Sequence, residues 1–164
     1  MKKGYLILML GALFFNKNVT AQSSIQPNFG FNIWKISGLD MLSYLEVGAV
    51  YEHSLNDNLG LNAGFSYNFS QGSSLNSGFI QLSAGGRYNF NELNDGAFVG
   101  AGLGYGFIDG GNYLEFGANF GYSLPLGPGS LNPSIGLGYL SVGSSGFRLG
   151  GLHVPLNLSY SIVL

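Results

Sequence analysis

The chain has 164 residues, no cysteine and only 9% charged residues, against about 25% for ordinary soluble domains. Without cysteine there is no disulfide framework, thiolate metal site or thiol nucleophile. Past residue 21 the fixed cations are Lys35, Arg87 and Arg148, set against eight acids for a net charge of about −5; three scattered cations build no basic patch, which excludes a nucleic-acid partner.

At the N-terminus, Lys2 and Lys3 precede an almost unbroken apolar run from Tyr5 to Phe15, and Val19-Thr20-Ala21 puts small or modest residues where a signal peptidase reads. That order predicts a secretory signal peptide over residues 1–21, cleaved after Ala21. Its apolar run of about 11 residues is short of the roughly 20 that a spanning helix needs. Residues 22–164 suit one domain. They contain 28 Gly less the few upstream, yet the whole chain also carries 13 Phe and 10 Tyr, and disordered segments are poor in aromatics.

The strands follow in chain order, each read from period-two alternation. Asn28 to Ile36 is the least regular, with Phe29, Phe31 and Ile33 on one face. Leu45, Val47, Ala49 and Tyr51 then alternate with Glu46, Gly48, Val50 and Glu52. Between Leu59 and Ser70, Leu61, Ala63, Phe65, Tyr67 and Phe69 oppose Gly60, Asn62, Gly64, Ser66 and Asn68. Ile80, Leu82, Ala84, Tyr88 and Phe90 oppose Gln81, Ser83, Gly85, Arg87 and Asn89. Val99, Ala101, Leu103, Tyr105 and Phe107 oppose Gly100, Gly102, Gly104 and Gly106. Leu114, Phe116, Ala118, Phe120, Tyr122 and Leu124 oppose Glu115, Gly117, Asn119, Gly121 and Ser123. Ile135, Leu137 and Tyr139 oppose Gly136 and Gly138, and the last strand sets Leu156, Leu158, Tyr160, Ile162 and Leu164 against Asn157, Ser159, Ser161 and Val163. Turn chemistry lies between these runs at Asn56-Asp57-Asn58, Asn94-Asp95-Gly96, Asp109-Gly110-Gly111-Asn112 and Gly127-Pro128-Gly129-Ser130. Pro155 removes a ladder donor, so the last strand is expected to start near it or to bulge there.

The polar face decides which side is inside. A soluble barrel would present Lys, Glu, Asp and Arg to water, whereas here that face is chiefly Gly, Ser and Asn. Small groups suit a narrow interior, and the large continuous apolar face suits lipid. The expectation is an all-β, antiparallel up-and-down transmembrane β-barrel of about eight strands. With both termini at one end, Tyr67, Phe69, Tyr105, Phe107 and Tyr139 close one aromatic belt, and Tyr51, Tyr88, Phe90, Tyr122 and Tyr160 the other. Glu46, Glu52, Arg87 and Glu115 all fall on the small-residue face. Charges at membrane depth point inward and pair, so Arg87 is expected to pair with one or more of the three glutamates in an interior polar cluster that plugs the barrel; a narrow channel for ions or small solutes is the alternative.

In its Lys-Lys start, its signal ending near Ala21-Gln22 and its alternating C-terminal strand, the chain resembles the small outer-membrane barrels of the OmpA/OmpX type and, more closely, the short barrel proteins of Bacteroidetes. The resemblance covers nearly the whole chain and is one of pattern. It implies a Gram-negative outer-membrane location reached through the periplasm, a surrounding of outer-membrane lipids, insertion by the barrel-assembly machinery, and a monomer. The family's last strand commonly ends in Phe; here Leu164 stands in that place.

Little chemistry is on offer. His53 and His153 have no further ligands at metal-binding spacing, and each reads as a strand-end or interior polar residue. Resemblance to barrel lipid A deacylases asks for His and Ser two apart on one strand face, plus an acid. His53-Ser54 are adjacent and Pro155 stands two residues after His153, so neither supplies a base beside a nucleophile. The Gly102-x-Gly104 spacing reads as barrel wall, since glycine alternates throughout and no helix follows. The expectation is a protein without catalytic, metal or cofactor site. The expected outward loops, Ser37 to Ser43, Gln71 to Ser77, Asp109 to Asn112 and Gly143 to Gly146, are short and give a protein partner little surface.

Overall fold

The computed structural model describes residues 22–36, 41–70, 78–92, 94–108, 111–144 and 147–164. The expected signal peptide lies outside them, as do most of the expected outward loops. Eight strands follow in order: β1 Ser23–Ile36, β2 Met41–Ser54, β3 Leu59–Ser70, β4 Phe79–Asn89, β5 Gly96–Ile108, β6 Gly111–Leu126, β7 Gly129–Ser144 and β8 Phe147–Val163. Each pairs antiparallel with its chain neighbour, and β8 returns to β1 to close the barrel. The all-β, up-and-down architecture expected from the alternation is the one observed.

The strands run longer than the alternation alone marks. β7 extends well beyond Ile135 to Tyr139, and Met41 to Ser43, Gly111, Asn112, Gly143 and Ser144 belong to strands rather than to loops. Ladder hydrogen bonds hold such residues in the wall after the clean alternation fades. Pro155 departs from expectation more sharply, because β8 starts eight residues earlier, at Phe147, and passes through Pro155 without a bulge. The β7–β8 pairing stops at Ile135↔Leu156 and resumes at Gly138↔His153 in the same register. Gly136 provides the space: a Cβ there would come within 2.6 Å of Pro155 Cγ. The proline costs one ladder donor and leaves the register intact.

Following the residues paired side by side shows how the barrel leans. Starting at Ser24, the row passes through Glu52, Asn62, Gly85, Gly102, Gly117, Gly138 and His153 and returns to β1 at Trp34. The return falls ten residues further along β1 than the start, which for eight strands means a tilt of about 40°. Gln22, Leu164 and the turns around 55–58, 90–95 and 127–128 share the end called lower here. The opposite ends of the strands make the upper end. In the tightest lower turn Gly127 has φ +61°, a conformation that suits glycine at the first position of a two-residue hairpin.

The two faces are sorted as the small-residue pattern requires. Phe29, Phe65, Leu82, Leu103, Phe116, Leu137 and Leu158 are all exposed on the outside, while Asn32, Asn68, Asn89, Ser123 and Ser161 are completely buried within. This reverses the arrangement of a water-soluble barrel.

Candidate functional site

The interior holds the structure's polar side chains in two tiers. Arg87 on β4 anchors the lower one. Its guanidinium lies 3.8 Å from Glu52 Oε2 on β2 and 3.9 Å over the Phe98 ring of β5. Nε donates to Asn89 Oδ1 at 2.9 Å, and a terminal nitrogen donates to Ser123 Oγ on β6 at 2.5 Å. Ser123 in turn donates to Asn132 Oδ1 on β7, and Asn132 Nδ2 donates to Ser161 Oγ on β8 at 2.9 Å. A chain of polar contacts therefore crosses the barrel floor. Hydrogen bonds to a buried cation are the strong kind, and each removes a desolvation cost that an unpaired polar group would carry.

Above the upper tier lie apolar and aromatic side chains. Trp34, Ile36, Tyr44, Phe79, Tyr113 and Leu140 form one buried cluster, with Leu42, Val142 and Leu149 packed against it. The rings of Tyr44 and Phe79 stand 5.6 Å apart, and those of Phe79 and Tyr113 5.0 Å apart. Directly beneath this lid sits His153, 1% exposed. Its Nε2 is 2.9 Å from Tyr44 Oη and 3.0 Å from Asn32 Oδ1. Its Nδ1 is 2.7 Å from Glu115 Oε1, close but poorly aligned for a hydrogen bond. The other Glu115 oxygen accepts from Gln81 Nε2 at 2.9 Å and from Tyr113 Oη. Glu46 accepts from Asn28 Nδ2 at 3.1 Å and Asn32 Nδ2 at 3.3 Å.

Between lid and floor lies a cavity of about 240 Å³, bordered by Glu46, Glu52, Arg87 and Glu115. A space of that size, lined by polar and apolar groups alike, admits several waters. One wall is nearly bare backbone, because Gly85, Gly102, Gly117 and Gly138 stand side by side across β4 to β7. A Cβ on Gly117 would come within 3.0 Å of Gly138 Cα.

Sequence reasoning places Glu46, Glu52, Arg87 and Glu115 on one face, and all four point inward. Of the three glutamates, one makes the expected pairing with Arg87. Glu52 is the glutamate within 4 Å of Arg87, while Glu46 and Glu115 have the upper-tier partners described above. The tilt of the strands separates residues that share a face but differ in height. The lid itself escapes the alternation reading, as does His153's central place. The signal was a phase break: Trp34, Tyr44, Phe79 and Tyr113 each sit beside an outward apolar residue, hence on the small-residue face.

Of the expected belt residues, Tyr67, Phe69, Tyr105, Phe107 and Tyr139 project outward in the upper half. Tyr51, Tyr88, Phe90 and Tyr122 project outward in the lower half. Tyr160 is half-buried at the lower end and donates to the Leu126 carbonyl at 2.7 Å. Three same-strand pairs meet edge to face: Tyr67–Phe69 at 4.7 Å, Tyr88–Phe90 at 5.6 Å and Tyr105–Phe107 at 5.2 Å. His53 lies on the outer face, half-buried, 3.1 Å from Ser23 Oγ.

With eight tilted antiparallel strands and an inverted distribution of apolar and polar residues in view, comparison with solved structures is direct. The fold is like that of Neisserial surface protein A. The two superpose with a TM-score of 0.60 over 85% of this chain and 96% of that one, at 12% sequence identity. Likeness to Neisserial surface protein A at that identity is likeness of fold. No family model and no curated protein matches the sequence.

Proposed function

We propose that the chain is an integral outer-membrane barrel, monomeric and surrounded by outer-membrane lipids, with a structural or interaction role. Its interior is closed by the aromatic lid and by the Arg87–Glu52 floor. The observation that carries this reading is the inverted surface. Large apolar side chains are exposed around the whole circumference, on strands of 11 to 17 residues, and about 9 to 11 tilted residues cross a bilayer. Placed in water, this surface would expose far more contiguous apolar area than soluble monomers carry. Placed in lipid, the closed ladder leaves no unpaired strand edge. The two groups of outward aromatics then fall at the two interfaces, where Tyr is favoured. The same surface supports the OmpA/OmpX-type resemblance, with assembly by the barrel-insertion machinery.

The outer-membrane fraction, run on a gel with and without boiling in SDS, tests this. A fast band that slows on heating is expected for a compact detergent-resistant barrel. Recovery in the soluble periplasm, with no mobility change, would overturn the reading. The cavity lined by three glutamates and one arginine favours a second reading, a narrow cation-preferring channel whose lid opens.

A further inference from the structure

Glu46 differs from the other interior glutamates in its partners. Arg87 faces Glu52, and His153 faces Glu115. Glu46 accepts from the amide nitrogens of Asn28 and Asn32, and among the described residues no Lys, Arg or His lies within 4 Å of it. Neutral donors soften the cost of burying a carboxylate without cancelling its charge.

Three buried amide oxygens with no donor lie on neighbouring positions of the same inner face. Asn28 Oδ1, Asn68 Oδ1 and Asn157 Oδ1 are all buried and unpartnered. Asn68 is 0% exposed and stands directly across the β2–β3 ladder from Glu46. On the other side, Gly30 separates Glu46 from Asn157 in the same row. A Cβ on Gly30 would lie 2.5 Å from Asn157 Oδ1 and 3.2 Å from Glu46 Cβ, and one on Gly48 would lie 2.8 Å from Asn28 Oδ1. The two glycines let these side chains pack close to the wall, where a Cβ would collide with them.

A carboxylate with neutral carbonyl oxygens is the donor set of a hard cation. Water can donate to each orphaned amide oxygen but leaves the Glu46 charge in place. Charge then selects the ion: one uncompensated carboxylate is neutralised by a monovalent cation, whereas Ca²⁺ takes about 6 to 8 oxygens and usually several carboxylates. We propose that Glu46, with the amide oxygens of Asn28, Asn68 and Asn157, binds an alkali cation, sodium or potassium, inside the barrel. The four residues come from β2, β1, β3 and β8, so the ion would join strands across the β1–β8 seam that closes the barrel. The proposal does not depend on whether the outer face meets lipid.

The test is unfolding of the folded, detergent-solubilised protein in NaCl, KCl, CaCl₂ or choline chloride at matched ionic strength, which removes general screening. Sodium or potassium should raise the midpoint over choline by several degrees, saturating with concentration as binding to the native state requires. Glu46→Gln should abolish the difference. Asn157→Ala, which keeps the carboxylate, should raise the half-saturating concentration by about tenfold, the effect of losing ~1.4 kcal/mol of binding. If Glu46→Gln does not fold, Asn157→Ala together with ²³Na line broadening of the wild type carries the test. Glu92→Gln, on an exposed lower turn, should behave as wild type. Equal midpoints in sodium, potassium and choline would overturn the proposal, as would an alkali effect that survives in Glu46→Gln. A response to calcium alone would overturn the monovalent assignment.

Discussion

Arg87 is a long cation on an inner face otherwise dominated by Gly, Ser and Asn, and three other strands supply partners to it. The Gly60↔Arg87↔Gly100 row leaves room on both sides for its side chain to turn toward Glu52, Ser123 and Phe98. Truncation would remove the cation and strand Glu52, 2% exposed, as a buried charge without its partner. Breaking a buried pair from one side costs about 3–5 kcal/mol. Arg87→Ala should therefore lower the unfolding free energy by that order and move the urea midpoint down accordingly. An unchanged midpoint would remove the floor from the list of features that hold the barrel. Phe98 adds to the same site, and Gly121 across the β5–β6 ladder makes space for it, since a Cβ there would collide with the ring.

At the scale of the strand, register proves more robust than individual ladder bonds. Pro27, Pro133 and Pro155 each lack a donor, and each coincides with a gap of two residue pairs in one ladder. The gaps fall between β1 and β8, between β6 and β7, and between β7 and β8, and pairing resumes after each without slippage. A one-residue slip would turn every outward Leu and Phe inward, so face identity holds the register where a bond is missing. The same strands permit a test of what their outer face touches. Leu103 is 62% exposed midway along β5, flanked across the ladders by Ala84 and Phe116. In lipid, Leu103→Arg should destabilise the folded barrel by about 2–4 kcal/mol, the cost of a cation near the bilayer midplane. In water the change would stay within about 0.5 kcal/mol, as for ordinary surface substitutions. Folding titrations into lipid vesicles separate the two.

For the whole molecule, a ten-residue stagger over eight strands produces an interior wide enough for a cavity of about 240 Å³ yet narrow enough for side chains from several strands to meet above and below it. The lid is apolar and ring-packed; the floor is a polar chain centred on Arg87. If the two together block passage, purified protein in a planar bilayer should carry no steady current. A steady current that favours cations would replace the closed reading with the channel reading, and the glutamates bordering the cavity would explain the preference through charge.

The alternation in the amino-acid sequence suffices for the strand number, the antiparallel barrel and the face on which Glu46, Glu52, Arg87 and Glu115 lie, because a period of two is a local property of extended backbone. Strand ends were less legible: β7 keeps pairing to Ser144 through ladder bonds that leave no mark in hydropathy. Pro155 looked like a boundary because its missing donor is local, whereas the room for its ring comes from Gly136 on a neighbouring strand. Which glutamate meets Arg87 was not legible at all. Height inside a barrel depends on the stagger accumulated over all eight ladders, and that sum exists only once β8 closes on β1. The lid followed the same rule: four aromatic side chains out of phase on separate strands became one cluster only when the tilt brought them to the same level.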